Sequence, residues 1–289
     1  EEGERYGTTD LGQGKKVMVE FVSANPTGPM HMGNARGGAL GDCLASVLRW
    51  AGYEVTREFY INDAGNQIEN FAKSLYARYL QHYKGEEAVP FPEDGYHGDD
   101  IRRRAEEFIA IEGDRYLEAD PQEAKKALVA YALPENVRGL KEDLERYRIY
   151  FDVWFRESTL HASGAVQAAV DRLTKRGLTY EKDGALWYKA SQFGAEKDEV
   201  LVRGNGFPTY FAADIAYHIN KFEQRGFSRV INVWGADHHG HVARLKGAMD
   251  ALGLDGEHRL DIVLMQLVKL VRDGEVVRMS KRTGKAISL

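Results

Sequence analysis

The chain has 289 residues, of which 43% are hydrophobic and 29% are charged, and its formal net charge at pH 7 is −5. This composition is typical of a globular protein of one large or two smaller domains, and the negative charge argues against indiscriminate nucleic-acid binding. The single cysteine, Cys43, excludes an internal disulfide and a cysteine-rich zinc site, and no apolar run approaches the roughly 20 residues of a membrane span, so we expect a cytoplasmic protein.

The first elements have the pattern of a βαβ unit. The apolar run VMVEFV at 17–22 predicts a buried strand, and a loop rich in proline and glycine follows it. A helix is predicted from about Gly33 to Gly52, and EVTREFYI at 54–61 predicts the next strand. Strand, helix and strand within about 45 residues favour a parallel sheet. The spacing of five apolar residues predicts the core-facing side of the helix: Leu40, Cys43, Leu44, Val47 and Leu48.

The middle of the chain interrupts this pattern. An acidic stretch with two prolines at 85–100 predicts a linker, and charged helices are expected over 101–148. The Asp-Gly pair at 183–184 predicts a β-hairpin, and a second Asp-Gly pair lies at 273–274. Strand and helix order resumes with RVINVW at 229–234. The whole pattern predicts a parallel α/β sheet with an inserted helical and hairpin segment.

We predict five segments from these changes in pattern. They are a first part of the core, a helical insertion, a core strand with its helix, a hairpin segment and a second part of the core. Their ranges, in that order, are 1–83, 84–148, 149–177, 178–208 and 209–289.

Two remote segments have the chemistry of phosphate-binding loops. NPTGPMHMGNARGGALG at 25–41 follows the first strand, at the sheet edge where ligands of open α/β folds bind. His31 can donate to a phosphate oxygen, and Gly33 allows a base or ribose to lie against the backbone. In RMSKRTG at 278–284, Lys281 can stabilise charge on a transferred phosphate. The alternative for the first segment is an ordinary connection between a strand and a helix. The alternative for the second segment is a solvated basic loop.

Two carboxylates lie in apolar surroundings. Glu20 falls inside the first predicted strand, and Asp214 lies in TYFAADIAYH at 209–218. A buried carboxylate costs several kcal/mol unless it is paired. The two could hold a metal or a cationic substrate, or each could pair with an internal arginine.

The segment GADHHGH at 235–241 follows a predicted strand at the same edge. Asp237 could accept hydrogen bonds from ribose hydroxyls. The histidines at 238, 239 and 241 raise a zinc hypothesis, but their spacing is not that of a known zinc motif and no cysteine lies nearby. We therefore expect no metal site here.

These motifs together resemble class I aminoacyl-tRNA synthetases. HMGN at 31–34 resembles the His-Ile-Gly-His signature of that class, RMSKR at 278–282 resembles its Lys-Met-Ser-Lys-Ser loop, and GADH at 235–238 is similar to the segment that holds the ATP ribose. The resemblance narrows to arginyl-tRNA synthetases through five segments in the expected order: 19–37, 58–68, 151–158, 209–218 and 233–242. It implies a Rossmann-like (HUP-type) α/β fold with a helical and β-hairpin connective segment.

The resemblance also implies site residues and a reaction. L-arginine would be activated by ATP with Mg²⁺ and transferred to tRNA-Arg, and His31 and Lys281 would stabilise the phosphates. The arginine-binding positions are Glu20, Ser23, Asn25, Tyr210, Asp214 and His238. The ATP-binding positions are His31, Gly33, Asn34, Gly235, Asp237, Met279 and Lys281.

The sequence departs from the family in three ways. Asn34 replaces the second histidine of the signature, and Arg278 replaces the first lysine of the mobile loop. The family also has an N-terminal domain and an anticodon-binding domain, and its members need bound tRNA to form the adenylate. This chain resembles the catalytic domain alone, so we expect weak tRNA binding and poor arginine activation. Two alternatives remain: a nucleotidyltransferase for another small acid, and a synthetase-like module that binds arginine and ATP without charging tRNA.

Overall fold

The computed structural model describes residues 3–277 and 287–289. Within these residues no helix is long and apolar enough to cross a membrane. The chain forms two compact units. The first contains the described part of Glu1–Ser23, Gly37–Tyr60 and Phe151–Leu267, and the second contains Ala24–Arg36, Ile61–Tyr150 and the described part of Val268–Leu289. The five-segment division stays a prediction.

The described residues form the following strands and helices. The strands are β1 (Lys16–Glu20), β2 (Glu54–Ile61), β3 (Val153–Arg156), β4 (Thr179–Lys182), β5 (Ala185–Tyr188), β6 (Glu199–Val202), β7 (Arg229–Gly235), β8 (Leu260–Met265), β9 (Leu270–Arg272) and β10 (Glu275–Val277). The α-helices are α1 (Asn34–Trp50), α2 (Asn66–Lys84), α3 (Asp99–Glu112), α4 (Pro121–Arg146), α5 (Glu157–Ala162), α6 (Ala165–Lys175), α7 (Tyr210–Ile219), α8 (His239–Ala251) and α9 (Gly256–Arg259).

A five-stranded sheet organises the first unit. Its strand order is β3-β2-β1-β7-β8, and β1 pairs in parallel with both β2 and β7, as β7 does with β8. Met18 of β1 and Val230 of β7 are fully buried in a core that includes residues of α6, α7 and α8. The predicted parallel α/β fold is confirmed, and the carboxyl ends of β1 and β7 lie at one edge of the sheet.

Helix α1 contacts the sheet through glycines, so the predicted core-facing residues are partly wrong. Gly41 is buried, and a Cβ atom there would lie 2.1 Å from Cγ of Phe21. Leu40 and Val47 are 39% and 66% exposed, and Cys43 is exposed too. The spacing of apolar residues predicts that the larger side chains of α1 lie in the core. The helix instead lies so close to the sheet that small residues occupy the closest contacts.

Two predicted hairpins are confirmed. In the first unit, β4 and β5 are antiparallel, and Asp183 and Gly184 between them have φ angles of 53° and 74°. In the second unit, β9 and β10 are antiparallel around Asp273 and Gly274, at 52° and 82°. Positive φ at both central residues is the geometry that an Asp-Gly pair favours.

The second unit has a helical core of its own. Helices α2, α3 and α4 pack around large buried side chains such as Phe71, Tyr79 and Phe108. Helix α4 begins with an N-cap at Asp120, whose Oδ1 accepts the backbone N–H of Gln122 at 2.9 Å. The helices predicted over 101–148 are therefore present.

Candidate active site

The chain turns sharply where β1 ends. Val22 and Ser23 have φ angles of 66° and 42°, in the left-handed region that costs a β-branched residue most. This turn brings the Ser23 hydroxyl back to the strand, where Oγ donates to Oε1 of Glu20 at 3.0 Å and accepts the N–H of Tyr60 at 3.1 Å. The strained turn thus fixes one oxygen of the Glu20 carboxylate.

Glu20 is paired with a cation of the protein itself, which is the last of the possibilities raised above for this carboxylate. Its Oε2 accepts from Nζ of Lys221 at 2.6 Å, and the two side chains are 9% and 0% exposed. The cation is a lysine rather than the arginine considered above. A carboxylate buried this deeply needs a nearby cation to remain ionised.

Asp214 is surrounded by donors of a different kind. Its Oδ2 lies 2.5 Å from Nε2 of His241, and its Oδ1 lies 3.1 Å from Nδ1 of His218. Arg244 donates Nε–H to Nδ1 of His241 at 2.8 Å, and the Asn232 amide lies 2.9 Å from Nε2 of His218. Each ring therefore has a donor at one nitrogen and Asp214 at the other, and Nδ1 of His218 also lies 2.8 Å from the backbone carbonyl oxygen of Asp214.

The Asp214 carboxylate therefore keeps its charge. Burial works to raise the pKa of Asp214, but the interactions with His218 and His241 outweigh it and hold that pKa well below its usual range. The side chain remains 23% exposed. Asp214 thus presents a negative charge that hydrogen bonds stabilise and that no ion pair to lysine or arginine among the described residues cancels.

The two carboxylates belong to one buried network. Lys221 donates to Oδ1 of Asn232 at 3.2 Å, and Asn232 contacts His218, which contacts Asp214. Burial, Glu157, Asp214 and Glu20 all raise the pKa of Tyr60, so its hydroxyl stays protonated and donates to Glu157 at 2.8 Å. Glu20 and Asp214, which are 194 positions apart, are therefore brought together.

Other predicted positions of the first unit lie at the surface near these elements. Tyr210 begins α7, one turn before Asp214, and is 63% exposed. Gly235 ends β7, and Asp237 and His238 lie in the single 3₁₀ turn that follows, each with a side chain 58% exposed. The described histidines that contact Asp214 are His218 and His241. The binding roles of Tyr210 and His238 stay predictions.

The segment around His31 belongs to the second unit. The N–H of Gly33 donates to Nδ1 of His31 at 2.9 Å, so a neutral ring carries its proton on Nε2. A Cβ atom at Gly33 would lie 2.8 Å from that Nδ1, which explains the glycine. Asn34 begins α1, and its N–H donates to the His31 carbonyl at 2.8 Å.

The end of the chain pairs with this signature segment. His31 and Ser288 form an antiparallel bridge, flanked by hydrogen bonds from Met32 N–H to Ile287 and from Leu289 N–H to Met30, both 2.9 Å. Residues 287–289 follow the second predicted phosphate loop after two intervening residues. The predictions for Met279 and Lys281 lie outside the described residues.

Helix α4 anchors the start of the first phosphate loop. The Asn136 amide donates to the carbonyl oxygen of Pro26 at 2.9 Å, and its oxygen accepts from Nε of Arg104 at 2.9 Å. Asn136 and Arg104 are only 7% and 9% exposed. The loop that carries Asn25, itself an exposed residue, is thus held by buried polar contacts within the second unit.

The sequence interpretation missed most of the groups that surround the carboxylates. These are Tyr60, His218, Lys221, Asn232 and Arg244, and His241 was considered only as a zinc ligand. One signal was present: Asp214, His218 and Lys221 are spaced i, i+4 and i+7, which places them on one helical face. Across residues 3–277 and 287–289, no three His, Cys, Asp or Glu side chains are grouped to hold a metal ion, so the zinc hypothesis gains no support.

Comparison with known proteins identifies the class of this fold and site. The family described as tRNA synthetases class I (R), catalytic domain, matches residues 2–289, and the chain belongs to this family. It is 66% identical to the arginine–tRNA ligase of Ruminiclostridium cellulolyticum over 289 residues and 64% identical to that of Acetivibrio thermocellus over 288 residues. The chain spans about half the length of these curated relatives, 51% in both cases.

Solved structures agree with this assignment. A Campylobacter jejuni crystal structure, provisionally assigned as an arginyl-tRNA synthetase, matches with a TM-score of 0.87 and 36% identity over 99% of this chain and 61% of that one. The arginyl-tRNA synthetase of Thermus thermophilus has the same fold, with a TM-score of 0.67 and 24% identity over 87% of this chain and 48% of that one. The resemblance to the family and the Rossmann-like fold are both confirmed.

Proposed function

We propose that this chain is the catalytic part of an arginine–tRNA ligase, which activates L-arginine with ATP and transfers it to tRNA-Arg. The observation that carries the proposal is the carboxylate pair of the first unit. Asp214 keeps its charge between two imidazole rings, with no lysine or arginine paired to it among the described residues, and Glu20 is fixed by Ser23 and Lys221. Two oriented carboxylates match the planar, forked donors of a guanidinium better than the compact charge of an ammonium.

The proposed first step joins the arginine carboxylate to the α-phosphate of ATP. One carboxylate oxygen forms a bond to phosphorus, and the bond to the bridging oxygen of pyrophosphate breaks. His31, with its proton on Nε2, has the donor that developing charge on a phosphate oxygen needs. Lys281 is proposed for the same task, and Mg²⁺ would enter with ATP as part of the nucleotide substrate.

The remaining positions are proposed to orient the two substrates. Gly33, Asn34, Gly235, Asp237 and Met279 are assigned to ATP, and Ser23, Asn25, Tyr210 and His238 to arginine. In the second step the terminal ribose hydroxyl of tRNA attacks the arginyl carbonyl carbon, and AMP leaves. No side-chain nucleophile is needed, so positioning and electrostatics carry the catalysis. A cytoplasmic location, where tRNA and ATP are both available, is part of the proposal.

Calorimetry with L-arginine tests the proposal. We expect Asp214→Asn to weaken arginine binding about ten- to a hundredfold, since a charge-assisted hydrogen bond is lost. L-citrulline, which replaces the guanidinium by a neutral urea group, should bind poorly to the unmodified chain. Glu257→Gln is the matched control, because Glu257 is 68% exposed on α9 and pairs with Lys246. Equal affinity for arginine and citrulline would contradict the proposal.

The two alternative functions predict different experimental results. A nucleotidyltransferase for another small acid predicts that Glu20→Gln leaves substrate affinity unchanged, whereas the arginine pocket predicts weaker binding. A module that binds both ligands without chemistry predicts heat changes with arginine and an ATP analogue, but no formation of adenylate even when tRNA-Arg is supplied.

A further inference from the structure

Lys221 is a fully buried lysine that no part of the proposed reaction uses. Its ammonium group donates to Oε2 of Glu20 at 2.6 Å and to Oδ1 of Asn232 at 3.2 Å, and it lies 4.0 Å from the ring centroid of Tyr217. A buried ammonium is costly unless its donors are satisfied and a negative charge is close. Here both conditions are met, and the charge is supplied by Glu20.

The local backbone directs this lysine inward. Residues Asn220–Gln224 continue α7 as a single π-helical turn, a feature that is frequent at functional sites. Within that turn Lys221 is 0% exposed, whereas the side chain of Glu223 is 41% exposed and pairs with Arg172 at 2.8 Å. Glu223 therefore offers a matched control on the same turn, outside the buried network.

The charge of Glu20 depends on this contact. In the part of the chain that the structure describes, Lys221 and the hydroxyl of Ser23 donate to the Glu20 carboxylate, so replacing Lys221 leaves the neutral hydroxyl. A nearly buried carboxylate with a single neutral donor takes up a proton more readily than an exposed one. A protonated Glu20 would accept fewer hydrogen bonds from a guanidinium.

We propose that Lys221 is a positioning residue that keeps the Glu20 carboxylate ionised and oriented for the substrate guanidinium. Lys221 acts through Glu20, and the net charge that attracts the substrate comes from Asp214. This inference rests on the proposed function, because it names what holds one half of the proposed arginine pocket. It goes beyond that function by assigning the orientation and the charge of Glu20 to a buried residue outside the proposed arginine-binding positions.

Several titratable or charged groups face this ion pair from the packed elements. They are Glu58 and Tyr60 on β2, Asp214, Tyr217 and His218 on α7, Arg225 after the π-helical turn, and His241 on α8. All of them are present in the unmodified chain, whose pH profile therefore contains their contributions. The difference between the unmodified chain and a Lys221 variant isolates the effect of the ammonium group.

The first measurement is the dissociation constant of L-arginine between about pH 6 and about pH 8. The unmodified chain, Lys221→Arg and Glu223→Gln should give parallel profiles. For Lys221→Met, arginine binding should weaken about tenfold or more at the acidic end relative to the alkaline end, because a proton must leave Glu20 before the guanidinium binds. Lys221→Gln, which keeps a hydrogen-bond donor but no charge, should behave like Lys221→Met. It replaces Lys221→Met in the experiment if that variant fails to fold.

The second measurement does not require arginine binding. In carbon-detected NMR of glutamate-labelled protein, the Glu20 carboxyl signal, identified by its absence from Glu20→Gln, should titrate in Lys221→Met and not in the unmodified chain. The double variant Glu20→Gln/Lys221→Met should lose the extra pH dependence of arginine binding. Parallel profiles for all variants, with no titrating Glu20 signal, would overturn the role of Lys221. A titrating signal without any arginine binding would instead reject the proposed function. It would still support the effect of Lys221 on the charge of Glu20.

Discussion

Glu20 and Asp214 differ in the partners that surround each carboxylate. Glu20 receives an ammonium group and a hydroxyl, whereas Asp214 receives two imidazole N–H groups. The ammonium of Lys221 forms an ion pair with Glu20, whereas the interactions with the two imidazoles hold the pKa of Asp214 low. The pair therefore combines one carboxylate fixed mainly for geometry with one that supplies the charge, and together they fit a ligand with a single positive charge.

The lowered pKa of Asp214 predicts a change in acid stability. A carboxylate with a lower pKa in the folded state stabilises the fold above its unfolded pKa, about 4, and this contribution is lost as pH falls further. Asp214→Asn should therefore flatten the decline of the free energy of unfolding between about pH 5 and about pH 2. Urea unfolding at several pH values measures this. Asp171→Asn, an exposed aspartate on α6, is the control, and equal slopes for all three proteins would contradict the prediction.

At the level of elements, α7 and the π-helical turn after it supply several groups of the network. Tyr210, Asp214 and His218 follow each other at successive turns of α7, and Lys221 continues the same face in the π-helical turn. The strands contribute fewer groups, since Glu20 ends β1 and Asn232 lies in β7. The geometry of the pocket within the first unit thus depends on how α7 is held against the sheet.

The glycines of α1 give a second prediction. Gly41→Ala should destabilise the fold by about 3 kcal/mol, since the new Cβ atom would lie 2.1 Å from Cγ of the buried Phe21. Gly139→Ala, inside α4, has no atom within 4 Å of its Cβ position and should stabilise by up to about 1 kcal/mol. Thermal or urea unfolding of both variants measures the difference. A neutral result at Gly41 would show that this helix does not need its close approach to the sheet.

The elements were predictable where pattern and local chemistry agree. The strand at 54–61 and the two Asp-Gly hairpins coincide with the structure, because β-branched and aromatic residues and turns with positive φ angles leave a direct mark on the sequence. The face of α1 leaves a different mark, because glycines inside a helix cost stability and so indicate a close approach to a neighbour. Periodicity finds the larger apolar side chains, while the contact surface consists of Gly37, Gly38, Gly41 and Ala45.

The partners of the site residues were harder to predict than the residues themselves. Resemblance to a family identifies positions such as Glu20 and Asp214, but Lys221, Asn232 and Arg244 reach the site only through the tertiary fold. The segment 287–289 likewise pairs with the segment around His31 at a separation of more than 250 residues. Contacts of such separation leave no periodic signal in a single sequence.

At the scale of the whole molecule, the length of the chain leads to a prediction about activity. The 289 residues span about half of the curated relatives, and the net charge of −5 opposes binding of a polyanion such as tRNA. We expect this chain to bind arginine and ATP but to catalyse little ATP–pyrophosphate exchange, because the family it resembles is expected to need bound tRNA for this step. The exchange assay should be run with and without tRNA-Arg and at low and moderate salt, with Asp214→Asn as the inactive control. If the unmodified chain exchanges pyrophosphate rapidly without tRNA while Asp214→Asn does not, the pocket would be complete and competent by itself, and the proposed dependence on tRNA would be wrong.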